Sequence, residues 1–300
     1  MDINLELYKV FYCVATTLSF SDAAKELYIS QSAVSQSIKM LEKRLGMTLF
    51  VRSTKKVRLT TEGEILLKHV EPAIALIQRG EKQLQDSQTL NAGQVRIGAS
   101  DTICRYFLVP FIREFHQKHP GVLIKVTNST SFGCVDLLEN NQVDLIIVNA
   151  PNIKLNRVRS TEVIREFHDV FVANPTAFPF AGRRADLAEL QNYPILMLER
   201  NSTTSEHLYN IFLQNQLELV PTLEVTSNDL LMDFARIGLG IAFLPDYCVT
   251  ESEDLRIMET TTELPARKLV LARQEQVPLS PAAESFIDML KARQFEAEGL

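Results

Sequence analysis

Four cysteines stand in 300 residues: Cys13, Cys104, Cys134 and Cys248. They lie far apart and none forms a C-x-x-C pair, which suggests neither a disulfide framework nor a zinc site. Reduced, mostly buried thiols are expected instead. No apolar run approaches the roughly 20 residues that cross a bilayer, so no membrane segment is expected. The opening residues MDINLELYKVF lack the basic stretch and apolar core of a signal peptide, and a cytoplasmic location is expected. No G-x-S-x-G elbow, P-loop or dinucleotide fingerprint is present. Gly238-Leu239-Gly240 is a fragment of the last, and it follows a helical pattern where a strand is required. His116 and His119 have H-x-x-H spacing, but Pro120 ends the helix there and no carboxylate cluster completes a metal site. No enzymatic activity, metal or cofactor is therefore expected.

What is present is a globular composition: 46% hydrophobic and 23% charged residues, with mean hydropathy near zero. The length allows two or three domains. Charge is unevenly spread. Between Lys25 and Arg58 there are eight basic and two acidic residues, net +6, in a chain that is −6 overall, so the remainder carries −12. A basic segment on an acidic body points to a local polyanion contact.

That segment and the residues before it read as three helices and a wing. Leu7, Val10, Phe11 and Val14 place a first helix over 3–16. Ser19 or Ser21 caps a second, in which Ala23 and Ala24 let another helix approach closely. Ser30 caps the third. There Val34, Ile38, Leu41 and Leu45 make a buried stripe, while Gln31, Ser32, Ser35, Gln36 and Lys39 lie on the other side. Gly46 suits the helix stop. TLFVRSTKKVRLT then gives two short β-like runs around a basic turn. From Thr60 to about Leu90 the pattern is helical again. Val70, Ile77 and Leu84 recur every seven residues, with Leu66 and Ile74 beside them, and a stripe of that length needs a partner helix.

From Gln94 strands and helices alternate. VRIGA, a helix over 103–118, VLIKVT, a helix over 132–142 and DLIIV imply parallel strands with helical crossovers. DVFVA, PILML, a helix near 204–214, TLEVT, a helix at 228–237 and GIAFLP repeat the theme. ARKLVLA and a helix over 281–295 then return to the first unit. Two α/β subdomains joined by two crossing strands are expected.

The layout resembles the LysR-type transcriptional regulators over essentially the whole length. The resemblance rests on the small pair in helix two, S-Q-S-A-V-S opening the third helix, L-E-K-R-L-G closing it, then L-F-V-R and L-T-T-E-G. Gly238-Leu239-Gly240-Ile241-Ala242-Phe243-Leu244-Pro245 matches a later family motif. It implies a winged helix-turn-helix over 1–59, a linker and dimerisation helix over 60–91, and an effector domain over 92–300 shaped like a type II periplasmic solute-binding protein. In that α/β domain, subdomain I takes about 92–165 and 267–300, and subdomain II about 166–266. The implied partners are double-stranded DNA carrying an interrupted inverted repeat, further copies of the chain in a dimer of dimers, and RNA polymerase.

Gln31 and Gln36, in the first turns of the recognition helix, are expected at base edges. Ser32 and Ser35 suit phosphate or a thymine edge, Lys39 suits backbone, and Arg52, Lys55 and Lys56 on the wing suit phosphate or the minor groove. Gln36 stands where many members carry arginine, and glutamine favours adenine. By family position, Ser100, Thr102, Ser129, Thr130, Ser131, Ser202 and Thr203 line an effector cleft, with Asn149, Ser227 and Asn228 as neighbours. Such hydroxyl and amide donors suit a small anion. Asp101 opposes one, and Arg105 is expected to offset it. Each Ser or Thr taken alone reads better as a helix cap, and three such sites converging on one cleft turn the reading toward binding. Two rivals remain: an oxidation sensor of the same fold, although its reactive pair would belong in the second subdomain where only Cys248 stands, and a plain solute-binding protein.

Overall fold

The computed structural model describes residues 3–52, 57–86, 93–178 and 184–297. The chain divides into two units, residues 1–85 with 140–142, and the remainder.

In the first unit, α1 (Leu5–Thr17) is capped by Asn4, whose Oδ1 accepts from the Glu6 amide at 3.0 Å. Ser19, not Ser21, caps α2 (Phe20–Glu26), and Ser30 caps α3 (Gln31–Leu45). Gly46 ends α3 in the left-handed region, at φ 70°. Val34, Ile38 and Leu41 are fully buried, and Ala23 and Ala24 pack in the same core as Phe11, Val14 and Phe50. The wing is β1 (Phe50–Arg52) paired antiparallel with β2 (Val57–Leu59), Phe50 facing Leu59.

The linker helix α4 (Thr61–Asp86) continues through Pro72. Its first turn is fixed by Thr60, whose hydroxyl donates to Thr48 O and accepts from the Gly63 amide. Gly63 is required there: a Cβ would lie 2.3 Å from Leu49 O. Of the heptad stripe, Val70 is buried in the domain core and Leu66 and Ile74 pack against it, whereas Ile77 and Leu84 are exposed.

The second unit holds two five-stranded sheets. In chain order it runs β3 (Gln94–Ala99), α5 (Asp101–Ile103), a π turn (Cys104–Leu108), α6 (Val109–Lys118), β4 (Leu123–Asn128), α7 (Ser131–Glu139), β5 (Leu145–Ala150) and β6 (Ser160–Phe167). Then come β7 (Asp169–Ala173), α8 (Leu187–Leu190), β8 (Ile195–Leu198), α9 (Thr203–Gln214), β9 (Leu223–Val225), α10 (Asn228–Arg236), β10 (Ile241–Pro245), β11 (Arg256–Met258), β12 (Arg267–Arg273) and α11 (Pro281–Ala297). The sheet orders are β4-β3-β5-β12-β6 and β11-β7-β10-β8-β9. β3 is parallel to β4 and β5, and β8 to β9 and β10; β12 and β7 run antiparallel to their neighbours.

The near-continuous apolar strands β5 and β10 are buried along their length, as strands covered on both faces must be. The helix expected over 103–118 is interrupted by the π turn. Pro110, in the first turn of α6 just after it, has no N–H to give to the helical ladder. The chain passes between sheets twice. β6 leads into β7 with only His168 between them, and the chain returns from β11 into β12.

Candidate DNA-reading surface and effector pocket

On α3 the polar face is presented as a set. Gln31, Ser32, Gln36 and Lys39 are exposed and Ser35 is half-buried, opposite the Val34–Ile38–Leu41 stripe. The Ser32 hydroxyl lies 2.8 Å from that of Ser30. Helix starts offer backbone N–H groups and a positive dipole end to phosphate, and the first turn of α3 carries no acidic residue against that. Arg52 closes β1; its side chain, together with Lys55 and Lys56, lies outside the described residues.

The structure brings all ten expected effector residues to the wall of one cavity of about 440 Å³. Nine of them come from the starts of four helices, and Asn149 from the end of β5. Ser100 caps α5, its Oγ accepting from the Ile103 amide at 3.3 Å. Thr130 Oγ1 accepts from the Gly133 amide in the first turn of α7. Ser202 caps α9, its Oγ accepting from the Ser205 amide at 3.0 Å. Ser227 stands at the cap position of α10 but makes no capping bond. Ser131 Oγ accepts from the Asn149 amide at the end of β5. The two subdomains meet across the cavity where Asn228 Nδ2 donates to Thr102 Oγ1 at 2.9 Å. The buried amide oxygens of Asn149 and Asn228 make no hydrogen bond.

The cap reading therefore holds for Ser100, Thr130 and Ser202, while no cap bond is made by Thr102, Ser129, Thr203 or Ser227. Ser129 is held by a close approach: a Cβ on residue 133 would lie 2.1 Å from its Oγ, so Gly133 makes room for that hydroxyl. The charged residues of the lining are Asp101 and Glu199, both acidic. Arg105 does not offset Asp101. Its Nη1 bonds Asp229 at 3.1 Å, and the Tyr106 hydroxyl donates to the other oxygen of the same carboxylate. Asp229, in the first turn of α10, thus holds both Arg105 and Tyr106.

The surroundings of the four thiols favour the protonated form. Burial pushes Cys13 and Cys104 up to about 11 and Cys134 up to about 12, and raises Cys248 as well, whereas reactive cysteines are lowered. His116 lines a separate surface cavity on α6 and β4, and His119 lies 3.5 Å from the Ser285 hydroxyl. Among the described residues no group of three or more His, Cys, Asp or Glu is placed to hold a metal, and no helix is long and apolar enough to cross a membrane.

Two family models match. Residues 5–64 match the bacterial regulatory helix-turn-helix protein, lysR family, and residues 88–294 match the LysR substrate binding domain. The chain belongs to the LysR family. It is a DNA-binding transcriptional regulator. The RuBisCO operon transcriptional regulator of Allochromatium vinosum is 30% identical over 295 residues, 95% of each chain. Among solved structures, full-length CbnR complexed with its target DNA shares the fold at a TM-score of 0.68 and 17% identity, covering 97% of this chain and all of that one. The regulatory domain of Synechocystis CcmR, in complex with 2-PG, superposes with a TM-score of 0.61 at 25% identity, covering 67% of this chain and 97% of that one.

In this LysR-family chain Glu42 has a structural role that its sequence context does not announce. Glu42 was read only as a charge within the L-E-x-x-L-G motif. Its Oε1 accepts from the Leu49 and Phe50 amides and so ties α3 to the wing. Asn128, Asn201, Thr204 and Thr226 join the pocket wall. Asn128, Asn201 and Thr204 belong to the polar runs 128–131 and 201–204 that follow apolar strands, and Thr226 directly follows β9.

Proposed function

We propose that this regulator reads an operator through Gln31 and Gln36, with Ser32, Ser35, Lys39, Arg52, Lys55 and Lys56 at the DNA backbone. A small anion held between the two subdomains controls it. The observation that carries the effector reading is the single cavity at the starts of four helices, walled by hydroxyl and amide groups. Helix starts and neutral donors are the means by which proteins hold small anions without a full counter-charge at the surface. The 2-PG complex of CcmR at 25% identity supports a compact anionic ligand of that kind.

The functional form is a dimer through α4, and two dimers together cover an interrupted inverted repeat. Leu76 and Ile77, 40% and 44% exposed on α4, support pairing with a second copy. Ligand binding changes the angle between the subdomains, and the DNA-binding pairs and promoter bend follow. The energy available for that switch is only the ligand's differential affinity for the two arrangements. RNA polymerase is the downstream partner, the location is cytoplasmic, and no cofactor or catalysis is involved.

The test is thermal unfolding of the full chain against 2-PG, inorganic phosphate, sulfate and short carboxylates. A concentration-dependent rise in midpoint with at least one anion, lost in Ser129→Ala with Thr102→Val, is expected. No rise with any of them would overturn the effector reading and leave the DNA-binding assignment untouched.

A further inference from the structure

Arg267 opens β12 and Asp169 opens β7, so the two stand at the two passages of the chain between the sheets. Both side chains are fully buried, and Arg267 Nη1 donates to Asp169 Oδ2 at 2.6 Å. The same nitrogen donates to Thr204 Oγ1 at 3.1 Å, and the guanidinium sits 5.4 Å over the Phe167 ring. Arg267 Nε and Nη2 make no hydrogen bond, nor does Asp169 Oδ1. A buried guanidinium with two of its three nitrogens unbonded is an incompletely compensated charge.

Its surroundings do not complete the compensation. Burial raises the Asp169 carboxyl against the pull of Arg267, which makes that carboxylate a reluctant anion. His207, on α9 one turn after Thr204, is pushed down to about 4 by burial and then by Arg267, so it stays neutral and feels the positive field. Thr204 connects this group to the cavity, whose wall it helps to form. A threonine hydroxyl that accepts from a guanidinium keeps its own proton to donate. In a pocket whose charged lining residues are both acidic, that polarised hydroxyl is the route by which a positive charge is felt.

We propose that Arg267 is the counter-charge of the effector pocket, a positioning residue that acts on the bound anion through the Thr204 hydroxyl. The proposal rests on the anion reading above. It also says how occupancy reaches the crossing strands, because ligand and Asp169 draw on one guanidinium.

The experiment is calorimetric titration of the full chain with inorganic phosphate, sulfate and acetate at constant ionic strength. Asp169→Asn should raise phosphate affinity about three- to tenfold, since the competing carboxylate is gone. Thr204→Val placed on Asp169→Asn should cancel that gain. Asp169→Asn with Arg267→Gln, which removes both charges, should fall at least tenfold below the native protein, and Arg267→Lys should fall less. A pair that only holds the strands together predicts unchanged or weaker binding in Asp169→Asn, and that result overturns the proposal. If the double variant does not fold, the sign of the Asp169→Asn effect decides alone. Failure of the native protein to bind any of the three anions removes the anion reading and the counter-charge with it. Binding that is equal in native and variants removes only Arg267.

Discussion

In α3 the side chains that face outward and those that hold the helix are different residues. Val34, Ile38 and Leu41 carry the packing, and Gln31, Gln36 and Lys39 are exposed on the opposite side. In the effector pocket one hydroxyl does both jobs, as Ser100, Thr130 and Ser202 each cap a helix and line the cavity. Charge divides the same way. Among the described residues the buried charged side chains, Asp144, Asp169 and Arg267, all belong to the second unit. A reading surface of this kind can change its target without touching its fold. A pocket built from caps cannot change its ligand without some loss of stability.

The largest effect expected from this division is on DNA. Gln36→Ala should leave unfolding unchanged but cost about 1–3 kcal/mol of operator affinity, the worth of one bidentate base contact. Binding to unrelated DNA should be nearly unaffected. Gel-shift titration on both DNAs checks it; equal losses on the two would place Gln36 at the backbone. A fall in unfolding midpoint would break the separation of faces itself.

This division also explains how much was legible in the sequence. A helix with its packing on one face shows its period, so α1 to α4 could be read, as could the Ser30 cap, while Ser19 against Ser21 was settled only by geometry and the Asn4 cap of α1 was not read. Seven of the ten pocket residues lie in three polar runs that follow apolar strands, but the convergence of all ten came from family position. β6 was passed over. Its residues STEVIREF alternate poorly, and as the edge strand after β12 it buries little beyond Ile164 and Phe167. Arg105 was misplaced because its carboxylate partner lies 124 residues away. The Arg267–Asp169–Thr204 group joins three distant segments, and no local pattern announces such a group.

The second effect is on the pH dependence of the second unit. The folded state holds His207 at about 4, below its ordinary 6.5, so it binds fewer protons than the unfolded chain between those values. Stability from this group is therefore present above pH 6.5 and is lost as pH falls toward 4. Discounting for its partial exposure, the loss is roughly 1–2 kcal/mol. Urea unfolding at pH 7, 5.5 and 4.5 should show a shallower decline in His207→Gln than in the native chain. Parallel declines would mean that the imidazole titrates normally.

The smallest effect tests the cap argument directly. Ser202→Ala removes the acceptor of the Ser205 amide, and loss of a serine cap costs about 1 kcal/mol. It also removes a pocket hydroxyl, so both the unfolding midpoint and anion affinity should drop together. Ser202→Asp restores the cap, because a carboxylate accepts well from the first amides of a helix. It also sets a third acidic group on a wall that already holds Asp101 and Glu199. Stability should return in Ser202→Asp while anion binding stays lost. If binding recovers along with stability, the hydroxyl contributes only by holding α9, and the pocket's double use of its caps does not extend to Ser202.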